Sequence, residues 1–302
     1  VFVYRGSMLG AVIRFKDRTY GFIYGFYRKQ FGFEDEHKGL FMAFADQLAI
    51  SLENSRLVDV TIKQQVYKQE LRVAHDAQMR LLPKEIPSVE GYEIDAFCKT
   101  ANEVGGDFYE VLKRGDNRID IINGDVSGKG ASAAFYMAEL KGIIRALSVY
   151  SDSPAEILTQ INGLLRERFA TGTFVTMTYA MLYPEENRML MARVGHPPAL
   201  LANEAGVQEL KPAGIGLGLA TNDLFNRTLK VEELYLQKGD VLLFYTDGLT
   251  EARDLNGEEF EEKRVKELLK EHYGHSMTEL LRLIRSELDS FVAEVARHDD
   301  VT

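Results

Sequence analysis

A chain of 302 residues with 45% hydrophobic and 27% charged residues has the make-up of a folded globular protein long enough for two domains, which excludes a disordered or fibrous polypeptide. Its formal net charge of −10 leaves no excess of Lys and Arg to neutralise phosphates, which argues against nucleic acid and anionic membrane as partners and favours divalent cations. No apolar run reaches the roughly 18 to 20 residues of a membrane span, the opening VFVYRGSMLG lacks a signal peptide's layout, and the lone Cys98 can form no internal disulfide, so a cytoplasmic protein with an inert buried thiol is expected.

The first 33 or so residues are rich in Val, Phe, Tyr, Ile and Gly, and runs such as GAVIRF and YGFIYGFY predict strands of a small sheet. The chain opens inside such a strand, so the full-length protein is expected to continue upstream. From Glu34 to Leu82 there is no Pro and only one Gly, Gly39, which predicts a nearly continuous helix ended at Pro83. A heptad seam fits its second part, from Ile50, Glu53, Leu57 and Val60 through Gln64, Tyr67, Leu71 and Ala74 to Gln78 and Leu81. Seven of these ten are apolar, and Gln64 and Gln78 stand where polar residues set register. The seam predicts a parallel homodimer through this helix; an amphipathic helix packed on its own domain is the alternative.

After PKEIPSVEG, short apolar strands alternate with turns. Strands are predicted in YEIDAFC, RIDIINGD, FVTMTYAMLY, RMLMARV, LYLQ and DVLLFYTD, and helices over Ala131–Val149, Pro154–Phe169, Glu261–His272 and Met277–Ala296. Many strands with grouped helices predict an α+β layered sandwich. The organisation read from this pattern is a front part over 1–55, a coiled-coil linker over 50–82 and a second domain over 83–302.

Three aspartates occupy special backbone contexts: Asp107 in VGGDF, Asp125 in GDVSGKG and Asp247 in YTDG; Asp299 and Asp300 close the chain. An apolar strand running into Asp-Gly places a carboxylate at the rim of a sheet on a rigid support, as a ligand requires. Gly105 and Gly106 permit close backbone approach before Asp107. Several carboxylates converging without Lys or Arg partners repel one another unless cations lie between them. Oxygen-only ligands select Mg2+ or Mn2+, and two such ions hold a phosphoryl group and generate a hydroxide for in-line attack. Taken singly, TDG is the commonest kind of turn, and GDVSGKG lacks the spacing of a Walker phosphate loop.

In order, QMRLLPKEIP, EVGGDFYEV, GDVSGKGASAAFYMA, FVTM, GHPPALL, GDVLLFYTDGLTEA and DDVT resemble the SpoIIE-type branch of the metal-dependent PPM phosphatases, relatives of protein phosphatase type 2C. The resemblance runs from about Gln78 to the end and implies an α-β-β-α sandwich, two Mn2+ or Mg2+ ions and hydrolysis of phosphoserine or phosphothreonine. It implies that Asp107 binds the second metal, that Asp125 bridges both with the Val126 carbonyl as a backbone ligand, and that Asp247 and Asp299 complete the first. Asp300 reads as a neighbour, not a ligand. Gly128, Gly130 and Ala131 would open a helix that switches metal binding. The resemblance further implies, as substrate, a phosphorylated STAS-type antagonist of an anti-sigma factor. The phosphate-binding Arg of the wider class is missing; Lys129 is a candidate replacement but reads better as an exposed loop lysine, and His196 before two prolines reads as structural. The chain stops at DDVT, before the strand expected to follow. FGFEDEHKGLFMAFADQLAISLENSRL resembles the last half of a GAF sensory domain. A catalytically silent docking module and a nucleotide hydrolase are the competing functions.

Overall fold

The structure, a computed structural model, describes residues 6–30, 32–115, 117–168, 172–293, 295 and 298–302. It divides into two units, Val1–Glu70 and Leu71–Thr302. In the first, β1 (Ser7–Phe15) and β2 (Arg18–Tyr27) form an antiparallel hairpin; α1 (Asp35–Met79) follows, its residues 71–79 belonging to the second unit. Ala45 and Ala49, one turn apart on α1, are buried, and the Tyr20 hydroxyl donates to the Glu53 carboxylate, which also holds Arg56 at 2.6 Å. Ile50, Leu57, Val60 and Tyr67 of the predicted seam are exposed.

Helix α1 ends before the expected Leu82. Leu81 N–H donates to the Gln78 carbonyl at 2.9 Å in a tighter turn, because the residue preceding Pro83 is driven out of the helical region. Leu81 is thus lost from the heptad seam, and so is Gln78, for reasons given below.

The second unit carries four layers. The central pair is a five-stranded antiparallel sheet, ordered β3-β4-β5-β6-β9, and a three-stranded sheet, β10-β7-β8. The strands are β3 (Phe108–Lys113), β4 (Ile119–Val126), β5 (Val175–Tyr183), β6 (Arg188–Val194), β7 (Ala199–Asn203), β8 (Gly206–Leu210), β9 (Val231–Tyr235) and β10 (Val241–Leu243). Helices α2 (Ala131–Leu147) and α3 (Pro154–Arg168) cover the larger sheet; the short α4 (Asn222–Thr228) packs on α3. Beyond the four-residue α5 (Asp247–Thr250), helices α6 (Glu261–His272) and α7 (Met277–Val292) cover the smaller sheet. Three apolar clusters fill the spaces between these layers, giving the expected α-β-β-α sandwich.

Local sequence explains the main elements. Ala133, Met137, Leu140 and Ile144 recur at helical spacing on α2 and are all buried, each large side chain contributing about 1.5 to 3 kcal/mol. On α7 the Ser276 hydroxyl accepts from Glu279 N–H at 3.3 Å, an N-cap ahead of Leu280, Ile284 and Leu288. The predicted helix ends Phe169 and Ala296 lie outside the described residues.

Two strand expectations need correction. Tyr92–Cys98 alternates like a strand but is not one: bridges form only at Val89–Tyr92 and Lys99–Val301, and residues 93–97 line an apolar cavity of about 680 Å³ together with Val241–Tyr245. LYLQ contributes only Leu234 and Tyr235, as the end of β9.

Candidate metal centre

The register Phe108 to Gly124 between β3 and β4 puts Asp107 next to Asp125 at one end of the larger sheet. The loop before Asp107 is drawn in tightly. Asp300 accepts from Gly106 N–H at 2.8 Å with Oδ2 and from Ala101 N–H at 2.8 Å with Oδ1. A Cβ on Gly105 would stand 1.7 Å from Asp300 Oδ2, and one on Gly106 would stand 2.4 Å from the Val126 carbonyl oxygen. Glycine is therefore dictated at both places by contact. Asp247 opens α5, and there a Cβ on Gly248 would lie 1.8 Å from the Asp300 carbonyl oxygen. Val301 pairs with Lys99, which carries Asp299 and Asp300 to the same rim. Four separate segments thus bring Asp107, Asp125, Asp247 and Asp299 within reach of one another's charge.

Thr246, which sequence reasoning passed over, ties three of these segments together. It is fully buried; its hydroxyl donates to Asp107 Oδ2 at 2.7 Å and accepts from Thr302 N–H at 3.0 Å, while its own N–H donates to the Thr302 carbonyl at 3.1 Å. Gln78 is the second such residue. Its amide donates to the Gly105 carbonyl at 2.7 Å and accepts from Gly105 N–H at 3.1 Å, and one turn earlier the His75 ring meets the Glu103 carbonyl at 2.6 Å. Gln78 is buried on this loop, so it is not a register residue of a coiled-coil seam.

Burial, then the Asp125 charge, drives the Asp107 carboxyl well above its usual range. Burial followed by Asp247 and Asp299 pushes Asp125 up to about 7, and Asp247 is raised by burial and by Asp299. Among the described residues no three His, Cys, Asp or Glu groups form a preformed metal cage; the aspartates stand near enough to feel one another's charge. Their donor set is oxygen only, and their mutual repulsion is what a hard divalent cation relieves, so the residues fit Mg2+ or Mn2+. Asp107, Asp125, Asp247 and Asp299 would hold such ions. The Val126 carbonyl, at the end of β4, stands against Gly106.

Gly128 and Gly130 take φ of 105° and 75°, and α2 begins at Ala131, one step after this left-handed turn. His196 is buried between Asn123 Oδ1, which meets Nε2, and Thr176 Oγ1, 2.9 Å from Nδ1; burial holds it neutral, with its pKa lowered to about 3. Burial likewise pushes the Cys98 thiol up to about 12, which makes it inert.

These shifts fix a pH profile. Asp125 titrates near pH 7 in the fold but near about 3.9 unfolded, so the native state gains roughly 1 kcal/mol as pH falls from about 8 to about 6.5. His196 has the opposite sign: unfolded imidazole takes up a proton below about pH 6.5 that the native ring refuses, which offsets the further gain from Asp125. Thermal melts in chelator should rise as pH falls from about 8 to about 6.5 and then level off towards about pH 5.5; a midpoint that rises steadily to about pH 8.5 would contradict the assignment.

A family model for stage II sporulation protein E (SpoIIE) matches residues 115–302. The phosphoserine phosphatase RsbU of Bacillus subtilis (strain 168) is 29% identical over 241 residues, covering 79% of this chain and 70% of that protein. The phosphoserine phosphatase RsbP of the same organism is 28% identical over 189 residues, covering 60% of this chain and 45% of that one, so this chain spans less than half its length. The SiaA-PP2C domain of Pseudomonas aeruginosa superposes with a TM-score of 0.69 at 22% identity, covering 80% of this chain and 95% of that domain, a likeness of fold.

Proposed function

This chain belongs to the SpoIIE family, and from that premise we propose that it is a metal-dependent phosphatase acting on phosphoserine or phosphothreonine of a partner protein. The observation that carries the reading is the convergence of four aspartates from four segments, with no Cys or His donor among them and with the carboxyls of Asp107, Asp125 and Asp247 raised by burial and by neighbouring carboxylate charges. The names of the relatives RsbU and RsbP support the substrate class.

Bound Mn2+ or Mg2+ would supply Lewis-acid polarisation of the phosphoryl group and a hydroxide for in-line attack. The chain's own contribution is placement. Strand β4 carries Asp125 on a rigid support, Thr246 fixes the rotamer of Asp107 through Oδ2, and Asp300 spends both oxygens on the backbone N–H groups of Ala101 and Gly106. His196 is neutral and enclosed, which removes it as a general acid.

The partner we infer is a STAS-type antagonist of an anti-sigma factor, freed by dephosphorylation to capture its kinase. The exposed Ile50, Leu57, Val60 and Tyr67 support a homodimer through α1, with a GAF-like front part as the sensor. The test is Mn2+-dependent phosphate release from a phosphoserine protein, run beside ATP and beside a chelator control. Release from the phosphoprotein that the chelator abolishes is expected. Turnover of ATP alone would point to a nucleotide hydrolase, and no turnover of either substrate to a silent docking module.

A further inference from the structure

Lys129 sits between the two left-handed glycines of the loop that precedes α2, and this turn sends its side chain across to the end of the chain. Its ammonium stands 3.3 Å from Asp299 Oδ2 and donates to the His298 carbonyl. The two side chains are 57% and 45% exposed, so the pair is a solvated one of low strength, easily parted. The same positive charge lowers the pKa of Asp247 against the larger effects that raise it. A small cleft of about 270 Å³ beside it is lined by Lys129, Gly248, Glu251, Arg253 and Asp299. Arg253 there is engaged with Glu259 at 2.8 Å, which leaves Lys129 as the cation directed at the ligand carboxylates.

We propose that Lys129 is a tethered counter-cation of the Asp247/Asp299 side of the centre, one that an incoming divalent ion must displace or share, so that this lysine sets the metal affinity of that side. The inference rests on the reading of Asp299 as a metal ligand. It assigns Lys129 the part of a positioning residue, neither a bystander of the loop nor a replacement for an absent arginine. A 3.3 Å contact in a solvated setting corresponds to a modest competition, on the order of 3- to 10-fold in affinity.

Calorimetric titration of the full chain with Mn2+ tests this. Lys129→Met should bind Mn2+ about 3- to 10-fold more tightly than the parent, Lys129→Arg should stay close to the parent, and Arg253→Met, which removes a charge from the same cleft without removing the contact, should change nothing. Unchanged or weaker binding in Lys129→Met overturns the proposal, as does equal tightening in Arg253→Met, which would mark a diffuse field in place of a contact. Asp299→Asn separates the premise from the inference: if it binds Mn2+ as the parent does, Asp299 is no ligand and the reading beneath the proposal fails with it.

Discussion

Replacing Asp125 by Asn should lower Mn2+-dependent phosphate release by at least about 10³-fold while the protein melts at a higher temperature in chelator. The two effects share one cause. Asp125 is the carboxylate that the others press on: burial, Asp247 and Asp299 together push its pKa up to about 7, so its ionised form is held at a cost when no cation offsets it. Asparagine keeps the shape and the strand pairing to Thr176 but removes the charge, which relieves up to about 4 kcal/mol near pH 8. Asp247→Asn should follow the same pattern more weakly, since its shift is smaller. Full activity in Asp125→Asn would sink the metal reading. Lost activity with an unchanged melting point would show that the carboxylates are not in mutual repulsion.

The second large effect is steric. In Gly105→Ala the new Cβ would stand 1.7 Å from Asp300 Oδ2, a contact no rotamer change of the alanine can avoid. Asp300 cannot yield cheaply either, because its oxygens accept from Ala101 and Gly106 N–H at 2.8 Å and its own backbone packs on Gly248. The loop must therefore move, carrying Asp107 away from Asp125 and breaking the paired hydrogen bonds with Gln78. The expected cost is roughly 3 kcal/mol, or about 6 to 12 °C in the melting temperature of a unit this size, with Mn2+ binding weakened in parallel. Gly142→Ala in the exposed face of α2 is the control: nothing lies within 4 Å of its Cβ, and helix propensity should raise stability by roughly 0.5 to 1 kcal/mol. Equal behaviour of the two variants would refute the argument from close approach.

Much of this centre is legible in the sequence because its carriers are local. Asp125 and Asp247 each follow an apolar run and precede glycine-containing turns, and the spacing of Ala133, Met137, Leu140 and Ile144 announces α2 without any knowledge of its neighbours. What escaped is what depends on distant segments meeting. Thr246 reads as an ordinary turn residue until residues 107 and 302 are seen against it. Gln78 fits a heptad position as well as it fits a buried clasp, since both want one side of the same helix; only the loop at Gly105 decides between them. Strand β3 shows no clean alternation because both of its faces are largely buried. Tyr92–Cys98 fails in the reverse sense: it has the alternation of a strand and lacks the hydrogen-bonded neighbour that makes one.

The clasp between Gln78 and Gly105 has a thermodynamic consequence. Donor and acceptor of one amide grip the same glycine, so a shift of the helix end breaks both bonds at once, and the loop bearing Asp107 is secured or released as a unit. Linkage between two such sites is reciprocal: whatever steadies the end of α1 must tighten the grip on a cation, and a cation at Asp107 must steady the end of α1 by the same free energy. Occupancy of the centre should therefore be readable in the helix itself, as slower amide hydrogen exchange over residues 71–79 when Mn2+ is added.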